Sequence, residues 1–281
     1  FQKHLDEFIA GKLSEQEMLH ATEYFSRWRY DYRLYQPIMQ FARDNKIPII
    51  ALNASRELTQ ALSKQGFDDL PEDLQDQLPA SYDWSDKDYE KRLYEMFKLH
   101  PESGNKFDSF LRGQLTWDES MAETAADYLK DNPDYRMLVL AGSGHVQYGS
   151  GIPNRIQRRL QIKPVSILVS EPAIPINPDM ADYLVMSAPR MLEPVGLIGA
   201  FLKLDTDLVI IDGFSKNSAI KDANVEKGAV IVGIDDTQVR TLADFRLAML
   251  SKKSGDTIEL HYLEQENASE NDTRTVPIKL R

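Results

Sequence analysis

The chain has 281 residues, a formal net charge of −11, 42 % apolar residues and no cysteine. The acidic balance argues against nucleic-acid binding, which needs a basic surface. The absence of thiols excludes disulfides, thiolate catalysis and Cys-ligated metals, and the apolar runs ("IPII", "LVLA") are far shorter than a membrane span.

The first 130 residues read as mainly helical. Ser14 and Glu17 in "SEQE" have the spacing of a capping box that opens a helix. The following segment is dense in aromatics: Tyr24, Phe25, Trp28, Tyr30, Tyr32 and Tyr35. These read as packing, with the tyrosines as second-rank ligand candidates. Pro37 starts the next helix, and "IPIIALNA" reads as a buried strand bounded by Pro48 and Asn53. A helix followed by a continuous apolar strand predicts an α/β unit with a parallel sheet. Residues 55–105 are polar and acidic, with turn signals at Pro71, Pro79 and Pro101. Then come a long helix, "FDSFLRGQLTWDESMAETAADYLKDN", the strand "RMLVLAG", a short helix, "PNRIQRRL", and the strands "VSILVS" and "DYLVMS". The texture changes near Ala188–Glu193 to shorter strands and frequent Gly/Asp turns, which places a domain boundary there. His4, His20 and His100 sit in polar contexts and read as surface residues.

The stretch "LVLAGSGHVQYGSGIP" puts His145 and Tyr148 in a glycine-rich turn after a strand. It is not a phosphate loop. No Lys follows the glycines, and Gln147 stands where the dinucleotide pattern needs glycine. Position supplies another reading, because ligands of open α/β sheets sit at the carboxyl ends of strands. Gly142 and Gly144 would let the chain turn and approach a ligand closely, with Ser143 between them. His145 could then ligate metal or haem iron, or act as a base, and Tyr148 could ligate ferric haem. A histidine that only bonds a backbone carbonyl is the plainer alternative. Asn53 ends its strand as His145 ends the other, so the two could share a crevice. Gln114 and Asp118 are polar groups on an otherwise apolar helix face with Leu111, Met121 and Ala125. They bond to nearby backbone or face a polar cavity. No H-E-x-x-H pair exists to make a local zinc site.

The segments "LNASRELT", "QLTWDESMAE" and "LAGSGHVQYGSGIPNRI", with "FQKHLDEFIAGKLSEQE" and "YQPIMQFAR", resemble the ChaN-like haem-binding proteins of the Tiki superfamily over roughly residues 1–188. The resemblance implies an α/β fold whose central, mostly parallel sheet is wrapped by helices. It implies haem as cofactor, and a role in haem or iron uptake as a homodimer in the bacterial periplasm or at the outer membrane. Membrane attachment would come only through a lipid anchor outside this sequence. His145 matches the family's Gly-x-x-His motif, with Gly142, Ser143 and Gly144 as the residues before it. It is also the metal ligand in an alternative reading, a metal-dependent hydrolase of the same superfamily. The family usually starts with a Gly-Glu-x-His strand upstream of a segment like that at Phe1, so half of a two-motif site is expected to lie outside these residues. Phe1 itself fits a mature or trimmed product.

Residues 189–281 resemble a bacterial PDZ domain. "PVGLIGAFLKL" looks like the carboxylate-binding loop running into a strand, matching Gly196, Leu197, Ile198, Gly199 and Ala200. Phe245 and Met249, four apart on the second helix, would line a groove for a partner's C-terminal peptide. "KDAN" and Ala229 depart from the usual pattern. A non-catalytic PDZ scaffold is the third reading.

Overall fold

The computed structural model describes residues 1–28, 30–99, 106–174, 176–205, 208–266 and 268–281. His100 and Pro101 lie outside them. The chain forms two units: residues 1–49 with 191–281, and residues 50–190.

The first unit opens with α1 (Gln2–Ile9), α2 (Glu15–Ala21), α3 (Tyr24–Arg27) and α4 (Gln36–Asp44). Ser14 caps α2 as its spacing predicts. Its hydroxyl accepts from the Glu17 N–H at 3.2 Å, and the Glu17 carboxylate accepts from the Ser14 N–H at 2.7 Å. Pro37 stands in the first turn of α4, where its missing N–H costs no helical bond.

The second unit holds α5 (Arg56–Gln65), α6 (Glu72–Gln75), α7 (Lys87–Lys98), α8 (Phe107–Asp131) and α9 (Ile152–Leu160). It ends in a parallel pair, β1 (Ile167–Ser170) and β2 (Tyr183–Met186), in the register Ile167–Tyr183 to Ser170–Met186. On α8, Ala122 and Ala125 are fully buried in a cluster with Met121, Ile152 and Ile156, so small side chains let α9 approach closely. The strands expected at "IPIIALNA" and "RMLVLAG" carry no ladder. A strand is defined by a hydrogen-bonded neighbour, and these segments have none among the described residues. The second segment nevertheless alternates in burial. Met137, Val139 and Ala141 pack on the α8–α9 cluster, whereas Leu138 and Leu140 are exposed.

The first unit resumes with β3 (Ala200–Asp205), β4 (Leu208–Phe214), α10 (Ala219–Asp222), β5 (Val230–Ile234), β6 (Thr237–Gln238), α11 (Leu242–Met249), β7 (Thr257–Leu263) and β8 (Arg274–Lys279). The sheet order is β3-β4-β5-β7-β8, all neighbours antiparallel, with β6 paired to β5. Its core includes Val209, Ile211, Ile231, Ile258 and Leu260. The fold is thus helices with a parallel sheet, followed by an antiparallel β-rich domain. The N-terminal helices use the far side of α11. Ala243, Leu247 and Leu250 pack against Phe8, Met18, Leu19, Phe25 and Tyr32. The aromatic segment divides accordingly: Phe25 and Tyr32 are buried, with Tyr24 edge-on to both, while Trp28 and Tyr30 are exposed. No helix among the described residues is long and apolar enough to cross a membrane.

Candidate functional site

The site is built from α8 outward. Asp118 is buried, with only 1 % of its side chain exposed. Neither backbone bonding nor an open cavity satisfies it. Tyr89, on α7, donates its hydroxyl to Asp118 Oδ2 at 2.6 Å, and His145 Nδ1 lies 2.5 Å from Asp118 Oδ1. Burial, reinforced by the facing carboxylate, holds the Tyr89 phenol well above its ordinary pKa, so it remains a donor. An ionised Asp118 only accepts hydrogen bonds. In the neutral imidazole the proton therefore lies on Nδ1 and the lone pair on Nε2, which has no partner among the described residues. The ring is a quarter exposed and edge-on to Trp117, 6.2 Å between centroids.

The loop around it differs from the sequence expectation. Gly142 is in an ordinary extended conformation, and a Cβ on Gly142 or Gly144 would meet only van der Waals contacts. Their lack of a side chain is not what shapes the turn. Gly151 is the constrained residue: it has φ 71°, and a Cβ there would lie 2.3 Å from the His145 carbonyl oxygen. Ser143 is exposed in the short 3₁₀ turn that ends at His145. Tyr148 is held at φ 61°, ψ 20° with its ring exposed, a left-handed conformation that is strained for a bulky residue. Gln114 is half-buried one turn before Asp118, and Asn53 is exposed; no hydrogen bond joins either to His145. Among the described residues no group of three or more His, Asp and Glu side chains is arranged to hold a metal ion.

Sequence reading missed the residue next door. Glu119 is fully buried, and Arg155 Nε, Arg158 Nη2 and Arg159 Nη1 stand 3.1, 2.7 and 2.6 Å from its oxygens. Arg158 and Arg159 donate hydrogen bonds to it, and the Asp83 N–H donates a third at 2.7 Å. Arg155 also lies over the Tyr89 ring, 4.6 Å from its centroid. The signal was there: three arginines at i, i+3 and i+4 in "RIQRR" share one face of α9.

At the second candidate site, Leu197 exchanges backbone hydrogen bonds with Arg281 at 2.9 and 3.1 Å. The Ile198 and Gly199 carbonyls accept from the Ile220 and Ser215 N–H groups. The Ile198 and Gly199 N–H groups have no partner among the described residues and are free to meet an anion. Gly199 has φ 78°, and a Cβ there would lie 2.5 Å from Ser218 Cα. Gly196 is packed against Leu280, and Ala200 opens the edge strand β3. Met249 is buried and Phe245 partly so, both in the sheet's core, so they can form only the floor of a groove.

Residues 1–156 match the protein family described as haem-binding uptake, Tiki superfamily, ChaN, which is more than half of the chain. The chain belongs to this family. Residues 196–280 match the PDZ domain family, so a ChaN-family domain is followed by a PDZ domain. No match was found among the curated proteins. Similar solved structures include the PDZ domain of a carboxy-terminal protease from Vibrio cholerae in complex with peptide (19 % identity, 31 % of this chain and 93 % of that one, TM-score 0.26). Others are an HtrA-type protease with a decapeptide (13 %, 31 % and 28 %, 0.26) and an aminopeptidase N family protein from Idiomarina loihiensis (18 %, 34 % and 15 %, 0.27). The chain spans less than a third of the latter two. Within the ChaN family domain the donor set suits haem. It offers an imidazole whose Nδ1 is tied to a carboxylate and whose Nε2 has no partner, with an exposed phenol three residues on.

Proposed function

We propose that the protein binds haem through His145 Nε2, in haem or iron uptake in the bacterial periplasm or at the outer membrane, and recruits a partner's C-terminal peptide at its PDZ domain. The observation that carries the haem reading is the Asp118–His145 hydrogen bond. It orients the ring and fixes the tautomer that leaves the Nε2 lone pair free for iron. Haem iron, when bound, supplies the open coordination position that an imidazole nitrogen fills. Tyr148 is the second candidate ligand, on the same loop and in a left-handed backbone conformation. The peptide reading rests on the unpartnered Ile198 and Gly199 N–H groups beside the edge strand β3.

The test is titration of the protein with hemin, followed in the Soret band. His145→Ala should weaken the shift strongly and Tyr148→Phe more mildly; a wild-type protein that gives no shift would sink the reading. The same Asp–His pair supports a second reading, in which Nε2 takes a proton from water in a hydrolase. Metal analysis with an esterase and peptidase screen separates the two.

A further inference from the structure

Helix α7 faces the His145 loop with three residues on one side, Tyr89, Arg92 and Met96, at i, i+3 and i+7. Tyr89 anchors Asp118. Met96 Cε is the nearest atom to the position a Cβ would take on Gly144, 3.8 Å away. Arg92 lies between them and has a different set of contacts from the arginines of α9. Its guanidinium is half-buried and stacks on the Tyr148 ring, 5.0 Å from the centroid. One Nη2 N–H donates to the Ser150 hydroxyl, which itself donates to the Gln147 carbonyl at 3.0 Å. No carboxylate lies within ion-pair distance of it among the described residues, whereas Arg155, Arg158 and Arg159 all converge on Glu119.

A guanidinium has five N–H donors in a planar fork, and this one commits a single donor to a neutral hydroxyl. A partly desolvated cation without a counter-charge is costly, and a carboxylate is the group that matches the fork geometrically. The stacking on Tyr148 fixes the plane of the fork on the loop that carries His145. We infer that Arg92 is the anion-binding side chain of this site and takes a carboxylate of the ligand held at His145. The inference rests on the haem reading, because it gives the bound molecule an apolar body, a nitrogen-accepting centre and a peripheral acid group.

The full chain is titrated with hemin and with hemin dimethyl ester, whose two carboxylates are blocked. The wild type should bind hemin on the order of tenfold more tightly than the ester, the factor that about 1.4 kcal/mol of charge-assisted hydrogen bonding carries. Arg92→Gln should lose that factor for hemin and leave ester affinity unchanged; Arg92→Lys should restore part of it. Ser150→Ala, which removes only the tether, should keep the preference for hemin. His145→Ala should weaken both ligands alike. Equal wild-type affinity for hemin and ester overturns the inference, as does an Arg92→Gln variant that weakens both equally, since that is the signature of a loop-holding role. Failure of the wild type to bind either ligand removes the haem reading and this inference together.

Discussion

His145 Nδ1 lies 2.5 Å from a carboxylate oxygen of Asp118, a side chain buried to 1 % exposure and held on its other oxygen by Tyr89. Asp118→Asn tests this relationship directly. Asn puts an NH2 donor in place of one acceptor oxygen, so it cannot accept from the Tyr89 hydroxyl and the Nδ1 proton at their two positions. Hemin affinity should fall by roughly 10- to 100-fold, the range typical for loss of a partner behind a ligating histidine. Unchanged affinity would show that the carboxylate does not orient the ring for binding.

Glu119 has another task. Its carboxylate gathers Arg155, Arg158 and Arg159 and thereby pins α9 to α8 behind the loop. Glu119→Gln removes the charge and leaves the buried Arg155 guanidinium uncompensated. Breaking a buried pair in this way costs about 3–5 kcal/mol. Urea unfolding should show that loss in the midpoint, with little change in slope.

Much of this was legible in the residues. The helix stripe that placed Asp118 on an apolar face, and the glycine-flanked His145, are local patterns, and the structure joins them. Glu119 escaped because a carboxylate between two core positions reads as a solvated charge until α9 is seen above it. Gly151 escaped for a related reason. Its constraint comes from the carbonyl of His145, six residues earlier, a contact that exists only once the loop has folded back. The strand readings for "IPIIALNA" and "RMLVLAG" rested on short apolar runs, which record burial. Ladder pairing depends on a neighbour that the pattern does not encode. The packing of Leu247 and Leu250 on the N-terminal helices was likewise invisible, since nothing in either segment names the other.

The glycines give a paired prediction. Gly151→Ala places a methyl against the His145 carbonyl at a backbone angle that alanine avoids. It should destabilise by more than about 1 kcal/mol and weaken hemin binding, because the loop must shift. Gly142→Ala meets no such obstacle. It should leave thermal midpoint and Soret titration close to wild type, which makes it the control.

Tyr89 sets an alkaline limit on the second unit. Burial first, and the Asp118 carboxylate second, raise its phenol well above the ordinary value of about 10. Tyr82, also raised by burial, is pushed up to about 12. In both cases the folded state keeps a proton that the unfolded chain releases above about pH 10. The stability tied to these protons is therefore fully present below about pH 10 and is lost as pH rises beyond it, because the unfolded state then binds fewer protons. Urea unfolding measured from about pH 8 to about pH 11 should show this decline. Tyr89→Phe should flatten it, since one of the buried phenols that keep their proton in the folded state is gone. At neutral pH the same variant should be less stable by about 1–3 kcal/mol, because Asp118 loses a buried donor. An alkaline decline of unchanged steepness in Tyr89→Phe would show that Tyr89 does not set the limit.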